Sequence, residues 1–418
     1  MIRFIKKLLS GQKCYLPLVL VAIVAFQLVG CQDSGSVGAD VGDPIADLNI
    51  DTLEVTGFQT QPLEAYTGNL GFFSAGQFQD PHFGNITARA LIKPRLAPNG
   101  GTSFFDQDTE MQLRLVFNQE AIYGDSLASM QFDLVEVAEL WRGPAWRIND
   151  EVDLVEGATV ASFSVAGEDS IDIPLSTEWK EKYGDFYDRS GDNRDSLYAR
   201  QFFGLALVPQ NSGKIIPINS TESNFIATEV ESATANDFDL TIALNNAAFS
   251  VDRNGTASNA GSFNLFSTYE QIINFDYDFS TENLGSSAIA KAELVIYRDN
   301  LVLEESINQA GPNAVRPDPS FLKLHLLEGD ELPQSLNQPV GAGQQPFPVA
   351  GVYREKDEAY HFLLTDRINA GILENLRDSL RFYITQGNKD GIIRSNVLFN
   401  GADGSKSPKL IITYTNNN

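Results

Sequence analysis

Residues 202–218 read FFGLALVPQNSGKIIPI, and residues 380–399 read LRFYITQGNKDGIIRSNVLF. Each is an apolar run, a short polar turn marked by Gly-Lys-Ile or Asp-Gly-Ile-Ile, and a second apolar run, the pattern of two strands joined by a tight connection. What precedes them matches too. DTEMQLRLVF (108–117), FDLVEVAEL (132–140) and DSIDIPLSTEW (169–179) lead to the first stretch, while SAIAKAELVIY (287–297), LKLHLLEGDEL (322–332) and AYHFLLTDRI (359–368) lead to the second in the same order. An acidic turn follows each second element. Further alternating runs lie at TLEVTGF (52–58), ASFSV (161–165) and KLIITYT (409–415).

Alternation over five to eight residues is the signal of a half-buried strand, and its repetition argues against α/β layers. The expected fold is all-β: two related antiparallel β-sandwich, jelly-roll-like domains with one or two short helices. The best helical pattern spans Asp366 to Leu376, where Ile368, Ile372, Leu373 and Leu376 fall at helical spacings and Asp366 caps. The expected boundaries are a first domain over 51–250 and a second over 251–418, joined by the turn-rich VDRNGTASNAGS (251–262). A single elaborated sandwich is the alternative.

The N-terminus carries an address. Arg3, Lys6, Lys7 and Lys13 precede an apolar run over 15–29, which is the charge and length pattern of a signal peptide over 1–30. Leu28, Val29 and Gly30 lead into Cys31, as in the bacterial lipobox, so Cys31 is expected to be acylated and to anchor the chain in the outer membrane. Residues 31–50 are small, acidic and Gly-rich, which reads as a flexible tether. The other cysteine, Cys14, lies in the removed segment, so neither a disulfide nor a cysteine metal cluster is available beyond it.

The chain has 55 acidic against 30 basic residues and a formal charge of −25. Phosphate backbones repel such a surface, and nucleic acid is not an expected partner. No Gly-x-Ser-x-Gly elbow and no Walker-type loop is present.

GSVGADV (35–41), NLGFFSAGQFQDPHFGNITARALIKPRL (69–96), YGDSLASMQFDLVEV (123–137), PVAGVYREKDEAYHFLL (348–364) and SPKLIITYT (407–415) together resemble the Bacteroidetes lipoproteins catalogued as domain of unknown function 4270. The resemblance spans nearly the whole chain beyond Cys31. It implies an envelope lipoprotein and brings no catalytic residues. Gln32, Asp33 and Ser34 match only partly the acidic export signal common after such cysteines, which leaves periplasmic and surface faces both open.

Five features are candidate sites. LWRGPAWR (140–147) sets Trp141 and Trp146 about a Gly-Pro turn, each followed by an arginine, Arg142 and Arg147. Two outward rings with guanidinium neighbours would stack on sugars; the competing expectation is that the tryptophans close the end of a sandwich. GDFYDRSGDNRD (184–195) gathers Asp185, Asp188, Asp192, Asn193 and Asp195, hard oxygen donors at a density suited to calcium but without EF-hand spacing. QDPHFGN (79–85) has the chemistry of a tight surface turn. His82, His325 and His361 lack metal-ligand spacing and are expected to be strand or turn residues. Asp-Ser-apolar steps at Asp125, Asp169, Asp195 and Asp378, with Asp51-Thr52-Leu53, read equally as turns or as O-glycosylation acceptors.

The expected function is a non-catalytic envelope component that binds or bridges a protein or glycan. A glycan-active hydrolase using paired carboxylates is the rival.

Overall fold

The computed structural model describes residues 48–416 except 56, 63–64, 97–108, 188–192, 230–237, 259, 268–269, 279–286, 328–347, 370–378, 388 and 403–405. The signal peptide, Cys31 and nearly all of the tether therefore lie outside the described residues. The described residues open with β1 (Leu48–Glu54) and β2 (Gln59–Pro62). Its first half continues with β3 (Phe72–Asp80), β4 (Gly84–Pro94), β5 (Glu110–Val116), β6 (Tyr123–Asp125), β7 (Met130–Val137), β8 (Leu154–Val165), β9 (Ser170–Pro174), β10 (Leu205–Pro209), β11 (Lys214–Asn219), β12 (Asn224–Glu229) and the long β13 (Phe238–Asn254). The second half is β14 (Ser262–Phe266), β15 (Gln271–Asp278), β16 (Ser287–Tyr297), β17 (Ala314–Val315), β18 (Phe321–Leu327), β19 (Val349–Arg354), β20 (Ala359–Leu363), β21 (Ser379–Gln386), β22 (Ser395–Phe399) and β23 (Lys409–Asn416).

Every described ladder is antiparallel, and several pairings of one half have a counterpart in the other. β11 pairs β3 as β22 pairs β14. β10 joins β4 and β7 as β21 joins β15 and β18. β8 flanks β7 as β19 flanks β18, and β5 lies between β12 and β9 as β16 lies between β23 and β20. The parallel extends to single bonds: Leu175 N–H donates to Met111 O where Leu364 N–H donates to Ala292 O. The fold is all-β, and these shared pairings follow the repeated order of runs in the sequence, while the β3–β4 and β19–β20 ladders each belong to one half alone among the described residues.

The halves exchange strands. β13 closes the first half by pairing β12 along its first part and β4 along its second. In the second half the equivalent places, beside β23 and β15, are filled by β1 and β2, which precede the first half in sequence. Residues 48–62 thus act as a strap around the C-terminal sheet, although 51–250 was expected to hold the first domain alone. β17 crosses the other way and adds an edge to β6. Leu48–Asn418 forms one compact unit.

Alternation builds the cores. Met111, Leu113 and Leu115 of β5 and Met130, Phe132 and Leu134 of β7 point inward while their neighbours are more exposed. Each such side chain contributes roughly 1.5–3 kcal/mol on burial. A separate core lies within the second sheet around Leu294, Ile296, Phe362 and Ile412. Four helices are described rather than one or two: α1 (Thr177–Tyr183), α2 (Arg194–Gln201), α3 (Asn300–Ala310) and α4 (Thr365–Ile368). Only the start of the expected 366–376 helix falls among the described residues.

QDPHFGN does turn, with Gly84 at φ +77°, and Gln79 and Pro81 are exposed as a surface turn requires, but the rest of it faces inward. Asp80 and Phe83 are fully buried, and His82 nearly so. Asp80 Oδ1 accepts the His82 and Phe83 N–H groups, while Oδ2 accepts from Tyr123 Oη at 2.9 Å and from Arg316 Nη2 at 2.6 Å. The turn is an anchor between the halves.

Candidate functional site

Three neighbouring strands hold continuous apolar runs, and both of their faces are covered. Ala90 and Ile92 of β4, Leu205 and Leu207 of β10, and Ala247 and Phe249 of β13 join the main core. The residues between them, Leu91, Ala206 and Ala248, belong to a satellite cluster on the opposite face with Trp141 and Trp146. The register makes this a row, since Leu91 pairs with both Ala206 and Ala248. The tryptophans therefore pack on the outside of the sheet. They neither close a sandwich end nor present a platform.

Both indoles are held by more than packing. Trp141 Nε1 donates to Phe203 O at 2.7 Å, Trp146 Nε1 donates to Ser250 Oγ at 3.1 Å, and the rings meet edge to face with centroids 5.9 Å apart. They are only 7% and 3% exposed. Gly143 permits the turn between them at φ +56°. Arg142 is exposed, whereas Arg147 lies over the Tyr66 ring. The expected sugar-stacking set is thus corrected: large rings with paired N–H groups gain more from the apolar row than from solvent.

Where the loop leaves the sheet, the apolar row runs on into a cleft of about 460 Å³. Its floor is Leu91, Ala206 and Val208, extended by Val152 and Leu154. Two residues further along β4 the lining turns polar, with Arg89 beside Ser250 and Thr87 beside Asp252 in register. Asn149, Asp150 and Glu151 form the facing wall. That wall is fixed by its own bonds: Arg147 N–H to Asp150 Oδ2, Asp150 N–H to Arg147 O, Val251 N–H to Ile148 O, and Ser250 Oγ–H to Asp150 O. A cleft of this size with an apolar floor and a few polar groups is a ligand site in form. It was missed because its floor residues look like ordinary strand interior. The triplets Ala90-Leu91-Ile92 and Leu205-Ala206-Leu207 were the available signal, since unbroken apolar runs mark strands covered on both faces.

The calcium candidates do not assemble in what is described. Asp188 and Asp192 lie outside the described residues. Asp185, Asn193 and Asp195 are exposed, Asn193 with φ +58°, and Asp195 sits 3.6 Å from Arg194 Nε. Among the described residues no group of three or more acids, histidines or cysteines is placed to hold a metal.

The histidines serve three separate structures. His82 Nε2 lies 2.9 Å from Asn264 Oδ1. His325 stacks flat on Tyr383 at 4.5 Å, and burial, with Lys323 adding repulsion, pushes its imidazole down to about 4. His361 lies between Glu293 and Asp357, 3.4 Å from each. At Asp125, the Leu127 N–H bonds the carboxylate as in an Asx turn.

The buried polar junction was not foreseen as a cluster. Burial by itself would raise the Asp80 carboxyl, but Arg316 and the two backbone donors outweigh it and hold Asp80 below the usual carboxylate range. Nearby, Arg253 stacks on Phe266 at 4.0 Å and binds Glu270 through two bonds, of 2.9 and 3.2 Å.

No family model matches the chain, and no curated protein matches it. Among solved structures, the chain aligns with the infectious bursal disease virus VP2 subviral particle at 11% identity and a TM-score of 0.11, covering 90% of this chain and 79% of that one. It aligns with the Sputnik virophage at 9% identity and a TM-score of 0.09, covering 86% and 85%. Likenesses at these scores support no statement about fold or function.

Proposed function

We propose that this protein is a lipid-anchored, non-catalytic envelope component that holds a partner in the cleft beside the tryptophan loop. The cleft carries the reading: its floor is apolar and partly open, and its wall is already bonded into place, so a ligand finds the site formed and loses little in ordering it. The anchor rests on the Leu28-Val29-Gly30-Cys31 sequence, and the resemblance to the Bacteroidetes lipoprotein family agrees with it. Among the described residues no helix is long and apolar enough to cross a membrane.

Two measurements test this. Cys31→Ser should release the chain from membranes after a high-salt wash, because a single acylated terminus is the proposed attachment. A photoreactive residue at Val208, on the cleft floor, should cross-link to another envelope component in intact cells. The rival hydrolase would instead show turnover of a glycan that Glu151→Gln or Asp252→Asn abolishes.

A further inference from the structure

We infer that the occupant of the cleft is an extended, basic segment of a partner protein, with lysine or arginine side chains alternating with aliphatic ones. This rests on the binding reading above and names its ligand class.

Charge complementarity is the first argument. Asp150, Glu151 and Asp252 line the cleft against one cation, Arg89. Glu151 and Asp252 are exposed, and Asp252 Oδ1 is already held by Asn254 Nδ2 at 2.8 Å, so its carboxylate is oriented before any ligand arrives. An anionic ligand would meet this rim within a chain of formal charge −25, which repels it at long range as well.

The lining chemistry is the second. None of the described lining residues is aromatic, and the two nearby indoles are buried with their N–H groups paired, so a sugar ring has nothing to stack on. The floor instead offers aliphatic area at the half-buried Val152, Leu154 and Val208, beside the carboxylates. An extended peptide places alternate side chains on opposite sides, so it can lay aliphatic groups on the floor while its cationic groups reach the rim. Lysine and arginine stems add apolar contact of their own.

The test uses the full lipidated chain in phosphatidylcholine vesicles, with empty vesicles as the blank. Fluorescein-labelled Leu-Lys-Leu-Lys-Leu should bind, bind less in higher salt, and lose at least about tenfold in affinity with the Glu151→Gln/Asp252→Asn double variant. Both substitutions are at exposed positions and nearly isosteric, and circular dichroism checks that the fold is kept. Equal binding of Leu-Glu-Leu-Glu-Leu, or unchanged affinity in the double variant, overturns the inference. Binding of spermine but not of the peptide assigns the site to a free polyamine and also overturns it. If basic peptides fail while Val208 still cross-links in cells, the ligand class is wrong and the binding reading stands. Loss of the cross-link removes both.

Discussion

Asp80 and Arg316 stand 236 residues apart in the chain and 2.6 Å apart in the structure. The carboxylate is fully buried and the guanidinium nearly so; Arg316 also bonds Tyr123 Oη, Leu303 O and Ser306 Oγ and lies over the Phe83 ring. This pair, with its satisfied neighbours, fastens the first half of the chain to the second.

Removing one partner should cost far more than removing both. Arg316→Met leaves a buried carboxylate without its cation and should destabilise by about 3–5 kcal/mol in denaturant unfolding. Asp80→Asn/Arg316→Met should recover part of that loss. Because the folded-state carboxyl is held below its ordinary value, the pair's contribution is complete above that value and fades as pH falls through the folded one. The Arg316→Met protein should lack this component of acid sensitivity. A cost under about 1 kcal/mol for Arg316→Met would show that the pair is not structural.

His325 should make the fold acid-sensitive in a higher window. Its imidazole is 2% exposed, Nδ1 has no hydrogen-bond partner among the described residues, and its folded value near 4 lies below the ordinary 6.5. The unfolded chain therefore binds the proton first, and stability falls as pH drops from about 6.5 towards 4, by roughly 3 kcal/mol at the limit. His325→Phe should flatten that part of the stability curve. Identical wild-type and variant curves between those values would sink the prediction.

Trp141 and Trp146 should behave as structural residues. Replacing either with alanine removes buried ring area and should cost about 3–5 kcal/mol. Trp146→Phe keeps most of the area but loses the bond to Ser250, a cost nearer 1 kcal/mol. Wild-type stability in the double alanine variant, measured by chemical unfolding, would contradict the observed packing.

The strap should protect the far end of the chain. Val55 is 1% exposed within the second core, and its N–H donates to Pro408 O. Val55→Asp should detach the strap, and hydrogen exchange should then quicken in β23 and β15 while β12 and β13 stay protected. Uniform acceleration across both halves would mean that the strap does not act locally.

Much of this fold is legible in the sequence. Alternation in MQLRLVF and MQFDLVEV reports strand and buried face together, since one side of each strand meets the core. The repeated order of runs has a counterpart in the ladders, since β10 joins β4 and β7 as β21 joins β15 and β18. Other features were hidden for physical reasons. Asp-Pro-His-Phe-Gly has the same local turn chemistry on a surface or inside, and the partner of its buried Asp80 is Arg316, which no local pattern couples to it. The tryptophan pair reads as bulky and apolar, but which face of which sheet receives it depends on the row through Leu91, Ala206 and Ala248, drawn from three distant strands. The cleft exists only once that loop has docked.

The strap also sets an order of events during synthesis. Leu48 finds its partner in Thr415 and Glu54 in Lys409, so the earliest described strand to emerge waits for the latest. The first half closes with its own β13 and can complete its sheet while translation continues. The second cannot, and its closure carries the slow kinetics of a contact spanning nearly the whole chain. β2 can join β15 as soon as residues 271–274 are made, but until β23 arrives β1 is an unpaired strand held beside a finished domain. A chaperone that binds extended segments has its longest opportunity there, and a nascent chain arrested before residue 409 would leave the β16 edge of its second sheet open while β2 still covers β15.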